Sequence, residues 1–251
     1  MSSAAAPPHD SDAPPPLKDD HEKKWEFRFT PYIWVPGTSG NLGIGPVNIP
    51  VDVSVGEAFG DSSDVNFAVT VAYEARRDRF AVFGNAMYVR TSSSDLPVPG
   101  PEKVSYSQNL GIFEKGIAYA FVDTMSADGA EGLRISAIGG VRLWTVGAKT
   151  SSRLFGNHSG SKTWLDGFGG ATVEWDLNDW LGLYGRADIG AGGSRLTWNA
   201  QIGVDLQFAD WGALNLGYRW LSDDYTSGSG VDYFKYDLLM AGPYVGLSFF
   251  F

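Results

Sequence analysis

Cysteine is absent from the 251 residues, which excludes disulfides, a thiolate nucleophile and cysteine-ligated metals. Charge is sparse: Asp, Glu, Lys and Arg make up 19% of the chain, against a typical ~25%. The formal net charge is −10 and no Lys/Arg cluster occurs. Nucleic acid is therefore not an expected partner, because neutralising phosphates requires grouped cations. Long apolar runs are missing too. Nothing approaches the ~18–20 consecutive apolar residues of a transmembrane helix. Mean hydropathy is −0.13, a value that looks soluble but also results when lipid-facing and lumen-facing residues alternate along membrane-spanning strands.

What is abundant points to β-structure. Glycine, at 32 residues, is roughly twice as frequent as the usual ~7%. Aromatics reach 14%. Residues 1–24, rich in Ala, Pro and charge, have no periodic apolar pattern and read as a disordered periplasmic tail. Met1 is followed by SSAAAPP, with neither a basic region nor an apolar core, so a secretory leader is expected to have been removed. From Trp25 to Phe251 the period is two. Leu196, Trp198, Ala200, Ile202, Val204, Leu206 and Phe208 alternate with Thr197, Asn199, Gln201, Gly203, Asp205 and Gln207, a separation that a 3.6-residue period cannot produce. Strands of this kind are predicted at 25–35, 65–76, 80–91, 104–122, 132–148, 162–175, 180–194, 196–208, 212–222 and 233–251. Most exceed the ~9–11 residues of a tilted membrane-spanning strand.

Connections alternate between tight turns (76–79, 176–179, 209–210) and longer polar loops (92–103, 149–161, 223–232), the asymmetry expected of periplasmic and extracellular ends. Two connections depart from it: the very short 194–196 and the longer 123–131. Aromatics gather near both ends of the strands. One set includes Trp25, Phe27, Tyr73, Phe80, Tyr119, Phe121, Trp175, Trp180, Phe208, Trp211, Phe249 and Phe251. A second includes Tyr32, Trp34, Tyr88, Trp144, Trp164, Trp198, Tyr218, Trp220 and Tyr236. Two such sets predict interfacial girdles. The expectation is a transmembrane antiparallel up-and-down β-barrel of ten strands, with twelve as the alternative. Parity excludes 46–55 as a spanning strand if both termini are periplasmic. Residues 36–64 are therefore predicted as an excursion: a hairpin from about Gly43 to Val55, then an irregular or helical piece at 56–63. Whether it lies outside or plugs the mouth is open.

The chain ends Gly242-Pro-Tyr-Val-Gly-Leu-Ser-Phe-Phe-Phe251, with Val245, Leu247, Phe249 and Phe251 on one face and Gly246 upstream. This resembles the C-terminal signal that the barrel-assembly machinery recognises in outer-membrane clients. Further segments are Trp25-Glu-Phe-Arg-Phe-Thr-Pro-Tyr-Ile-Trp-Val-Pro-Gly37, Glu74-Ala-Arg-Arg77, Phe83-Gly-Asn-Ala-Met-Tyr88, Gly139-Gly-Val-Arg142, Asp188-Ile-Gly-Ala-Gly-Gly-Ser194 with Thr197-Trp198, and Gly217-Tyr-Arg-Trp-Leu221 with Asp224-Tyr225. In this order they resemble a group of proteobacterial outer-membrane β-barrel proteins whose biochemical role is not established. The resemblance implies location in the Gram-negative outer membrane, contact with its lipid and lipopolysaccharide, and handling by the assembly machinery. It supplies no substrate and no catalytic residue.

Candidate chemistry is thin. His9 and His21 fall in the tail. His158, expected in a loop beside Ser159 and Ser161, lacks an evident oriented carboxylate and oxyanion site, although Asp166 is the nearest acid. No catalytic residue, metal ligand set or cofactor is predicted; the acidic pair Asp223-Asp224 offers at most weak Ca²⁺ binding, and a solvated loop is the expectation there. Unchanged lipid A and phospholipid profiles on His158→Ala would retire a lipid-hydrolase reading. The polar face says more: Glu74, Glu114, Arg142, Asp166, Glu174, Arg186, Asp188, Asp205 and Arg219 share the lumen-facing parity. Mixed signs suggest either salt bridges filling the interior or a narrow pore for small solutes. In the second case Arg142, Arg186 and Arg219 would face Asp188 and Asp205 across a constriction. Ten strands lie near the ~8 at which side chains fill a barrel, which disfavours a wide porin.

Overall fold

The computed structural model describes residues 24–45, 47–56, 65–97, 103–125, 131–152 and 156–251. The predicted tail lies outside them, apart from Lys24. Twelve strands follow one another: β1 (Glu26–Trp34), β2 (Gly37–Ile44), β3 (Val47–Val53), β4 (Val65–Arg77), β5 (Phe80–Pro97), β6 (Lys103–Asp123), β7 (Gly132–Ser152), β8 (Gly156–Asn178), β9 (Leu181–Gly192), β10 (Leu196–Ala209), β11 (Gly212–Ser227) and β12 (Phe234–Phe250). All pairings are antiparallel. β1 and β4–β12 close into a ten-stranded barrel through β1 and β12, with β2 and β3 added. Ten spanning strands and a hairpin excursion are as the alternation predicted.

A walk across the pairings shows how the barrel closes. From Arg28 it passes through Glu74, Phe83, Gly116, Gly140, Phe168, Gly190, Thr197, Asp223 and Leu238. It re-enters the first segment at Gly40, twelve residues beyond its start. A shear of this size on ten strands goes with a strand tilt of about 40°.

The hairpin of the excursion begins earlier than expected, at Gly37, and lies in the wall. β1 and β2 hold one register against β12, Trp34 facing Tyr244 and Gly37 facing Ala241. They are one strand interrupted at Pro36, which has no N–H to give; the preceding Val35 N–H still donates to Pro243 O at 3.1 Å. β3 folds back along β2 at Gly45, where φ is +57°. The hairpin is thus 37–53 rather than 43–55. Val55 and Gly56 are helical, and 57–64 lie outside the described residues. Neither a detached outer hairpin nor a swallowed plug describes it, but it sends Leu42 and Ile44 inward.

Three predicted loops are largely strand. β5, β7, β8 and β11 continue through 92–97, 149–152, 156–161 and 223–227. His158 accordingly lies in β8, paired with Thr150, not in a loop. β5–β8 run 18–23 residues, far beyond the ~9–11 of one crossing, whereas β9 and β10 have 12 and 14. The barrel therefore has a tall side and a low one, and the short connection at 192–196 is the notch between them.

The outward face is apolar. Ile189, Ile202, Leu165, Ile117, Val141, Leu247 and Val245 are exposed, and Phe27, Tyr73, Phe80, Tyr119, Phe121, Trp175, Trp180, Phe208 and Trp211 ring the end that carries the tight turns. A soluble protein does not expose apolar surface on this scale, while a barrel wall facing hydrocarbon requires it. Ile202→Arg is expected to cost about 2–4 kcal/mol and the same change at Phe208, near the mouth, about 0–1. Urea titration of the protein folded into vesicles measures both, and equal costs would contradict a wall immersed in lipid.

Candidate functional site: the barrel lumen

The interior is arranged in three layers, each set by inward parity on successive strands. The outermost is aromatic and aliphatic. Trp144 from β7, Trp164 from β8, Leu221 from β11, Phe234, Tyr236 and Leu238 from β12, and Leu42 and Ile44 from β2 form one buried cluster. Trp144 and Trp164 stack at 5.9 Å between centroids and 11° between planes. Trp164 also stacks on Tyr225 at 4.0 Å and 10°. That second stack bridges β8 and β11 over the low β9–β10 connection. Trp34, Trp144, Trp164 and Tyr236, read from the sequence as outer-girdle residues, are instead inside the barrel and at most 5% exposed. They share parity with Arg142, Asp166 and the inward face of β12, which overrides the preference of Trp and Tyr for the interface. Tyr88, at 40% exposure, remains outside, as do Tyr218 and Trp220, whose rings lie 4.5 Å apart.

The middle layer is a closed ionic network. Arg142 donates from Nε to Glu114 Oε1 at 2.7 Å, from Nη2 to Asp188 Oδ1 at 2.7 Å and from Nη1 to Thr197 Oγ1 at 3.0 Å. Arg186 reaches Asp188 Oδ2 at 2.8 Å and Glu114 Oε2 at 3.1 Å. Arg219 joins Glu114 at 3.3 Å, Asn199 Oδ1 at 2.8 Å and the Tyr32 hydroxyl at 3.0 Å. The side chains of Arg142, Glu114 and Asp188 are all at 0% exposure. The guanidiniums also lie against rings: Arg142 over Phe168 at 5.0 Å, Arg186 over Phe83 at 5.4 Å and Arg219 over Trp34 at 5.1 Å. Charge that is paired, hydrogen-bonded and shielded in this way can persist without water.

The third layer opens at the turn-bearing mouth. Arg76 bridges Glu74 at 2.9 Å and Glu174 at 3.3 Å, and Arg134 bridges Glu174 at 3.4 Å and Asp123 at 3.3 Å. Arg28 lies 3.6 Å from Asp205, which accepts from Asn215 at 2.6 Å. Between this layer and the network is a cavity of about 140 Å³ lined by Arg28, Glu74, Asn85, Glu174, Tyr184, Arg186, Gln201 and Asp205, among others. Tyr244 closes one side of it.

All nine charged positions read from parity point inward, but they do not form one constriction. Glu114, Arg142, Asp188, Arg186 and Arg219 meet. Asp205 lies below them with Arg28, so the expected opposition of the arginines to Asp205 is not formed. Glu74 and Glu174 belong to the mouth. Asp166, the cross-strand neighbour of Arg142, receives the Ser194 backbone N–H at 2.8 Å and no arginine. Outside the expected set but on the same inward parity are Arg28, Arg76, Arg134, Thr197 and Asn199, together with Tyr32, expected in the outer girdle, and Asp223, expected as a solvated loop carboxylate. Among the described residues no group of three or more His, Cys, Asp or Glu is placed to hold a metal.

The chain matches no protein-family model and no curated protein sequence. Three solved structures resemble it over nearly the whole length. Ail, the attachment invasion locus protein of Yersinia pestis, solved with the heparin analogue sucrose octasulfate, is 10% identical over 91% of this chain and 99% of its own, with a TM-score of 0.38. Neisserial surface protein A gives 12%, 90%, 96% and 0.36 in the same order. The translocator domain of autotransporter NalP from Neisseria meningitidis gives 12%, 92%, 90% and 0.38. At these scores the barrel assignment rests on the chain's own pairings.

Proposed function

We propose that this is an outer-membrane β-barrel protein whose lumen is sealed towards its outer end, and that it serves as an envelope or surface-presenting element and not as an open passage. The observation that carries this reading is the succession along the lumen of a buried aromatic cluster and a buried ionic layer. Its surroundings would be outer-membrane lipid, including lipopolysaccharide, reached through the barrel-assembly machinery. The role is taken to be non-enzymatic. The β5–β8 wall, rising past the length of one crossing, supports surface presentation.

A second reading, a narrow channel for small solutes, draws support from the cavity of about 140 Å³ beneath the network, lined by polar and charged side chains such as Arg28, Glu74, Gln201 and Asp205. Recording from the refolded protein in planar bilayers separates the two. A sealed barrel leaves the baseline silent at 100 mV or more, whereas defined conductance steps in the unmodified protein would favour the channel.

A further inference from the structure

The most enclosed part of the lumen holds more carboxyl groups than guanidiniums. Arg142, Arg186 and Arg219 contribute three guanidiniums, and Glu114, Asp188, Asp166 and Asp223 four carboxyl groups. The arginines bind Glu114 and Asp188, and no Lys or Arg among the described residues forms an ion pair with Asp166 or Asp223. Both are at 0% exposure, and each lies two residues from a ring of the Trp164–Tyr225 stack that joins β8 to β11 at 4.0 Å between centroids, on the same inward parity.

Their oxygens are poorly provided for. Asp166 uses Oδ1 for the Ser194 N–H, but its Oδ2 and both oxygens of Asp223 accept no hydrogen bond. Ser194 Oγ, in a residue 4% exposed, is likewise without a partner. Ser194 and the Trp164 indole sit beside Asp223 without closing a hydrogen bond of good geometry. Four buried oxygens without a hydrogen-bond partner thus lie in the region where the low β9–β10 connection meets β8 and β11. The turn itself is tied to β8, with Gly193 N–H donating to Leu165 O at 2.9 Å. The Trp164–Tyr225 stack bridges β8 and β11 beside the pair. Two carboxyl groups held together out of water need either a shared proton or a cation between them, and the unpartnered Ser194 hydroxyl beside them adds a third oxygen suited to a cation.

We propose that Asp166, Asp223 and Ser194 form a site for a hard divalent cation, with Ca²⁺ as the ion that suits it. The donor set is oxygen only, as Ca²⁺ prefers, and water or main-chain carbonyls can complete the six to eight ligands it takes. Two carboxylates and a hydroxyl fall short of a full protein cage, which points to a modest-affinity site of the kind found in extracellular modules. The bound ion would tie the low connection to β8 and β11 and close the notch beneath Trp164. The proposal does not depend on whether the barrel conducts.

Trp164 supplies the reporter. The full chain, refolded in detergent without metal, is titrated with Tb³⁺ while tryptophan is excited. Sensitised emission that saturates near one equivalent, is displaced by Ca²⁺ and survives Asp210→Asn on the exposed turn is the expected result. Asp223→Asn should weaken it by on the order of tenfold or more, and Ca²⁺ should raise the melting temperature of the wild type but not of this variant. Ser194→Ala keeps both carboxylates and should weaken binding less, so it decides the matter if Asp223→Asn does not fold. Absence of emission at millimolar Tb³⁺, an equal Ca²⁺ response in Asp223→Asn and wild type, or stability that follows pH and ignores Ca²⁺ would each overturn the site, the last in favour of a shared proton.

Discussion

Replacing Arg142 with Met is expected to destabilise the folded barrel by about 3–5 kcal/mol, because it strands carboxylates that have no access to water. Glu114 would keep Arg186 and Arg219, and Asp188 would keep Arg186 and Asn199. Each would still lose its shortest ionic contact, and Thr197 Oγ1 would lose its donor. Arg195→Ala is the matched comparison. Arg195 pairs with Asp224 at the outer rim, but its side chain is 72% exposed, so solvent screening should leave its loss nearly without effect. Urea titration in vesicles, read by tryptophan fluorescence and by heat-dependent gel mobility, gives both values. Combining Arg142→Met with Glu114→Gln should recover part of the loss, since the two residues are coupled. A cost for Arg142→Met no larger than that for Arg195→Ala would mean that water already reaches the network, and the sealed reading would fail with it.

Much of this arrangement was legible from period two alone. Alternation along 196–208 fixes which side chains of β10 face outward, and the same rule placed all nine chosen charges inside. Tight turns at 76–79 and 176–179 fixed the direction of the strands. The aromatics were harder. Trp144 and Trp164 lie near strand ends, where Trp commonly faces the headgroups, and position was given more weight than parity. Trp144 is two residues from Arg142 and Trp164 two from Asp166, so on an unbroken strand they must share the lumen with those charges. Tyr236 is set apart from the outward Val245 and Leu247 by the same parity. Strand length was the second difficulty. Ser, Gly and Pro at 92–103 and 149–161 have the composition of loops, yet pairing with a neighbouring strand carries much of these segments upward as sheet. No local signal in the sequence reports that pairing. The Asp166–Asp223 approach is of the same kind, because residues 57 apart in the chain are brought together only by the closure of β8 through β11 and by the shortness of the turn at Gly192–Ser194.

The aromatic layer is also where the lumen should open when weakened. Removing both Trp144 and Trp164 by substitution with Ala deletes the stacked pair at the centre of the outer cluster and leaves Tyr225 and Tyr236 without their main ring contacts. Each truncation is expected to cost about 3–5 kcal/mol, the range for a buried large aromatic replaced by Ala. Unlike a soluble core, this one cannot collapse freely, since hydrogen bonds close the wall at every strand. The space vacated is therefore expected to stay in the lumen and to admit water onto Arg142, Glu114 and Asp188. In planar bilayers the wild type should be silent, Tyr88→Ala on the outer surface should also be silent, and the double Trp variant should show small, brief conductance steps. Adding Arg142→Met to the double variant should change the size of those steps, because the ionic layer is the next barrier along the axis. If the double variant folds and remains silent, the seal lies in the ionic layer alone and the tryptophans act only in packing. The order in which conductance appears thus measures which of the two layers closes the barrel.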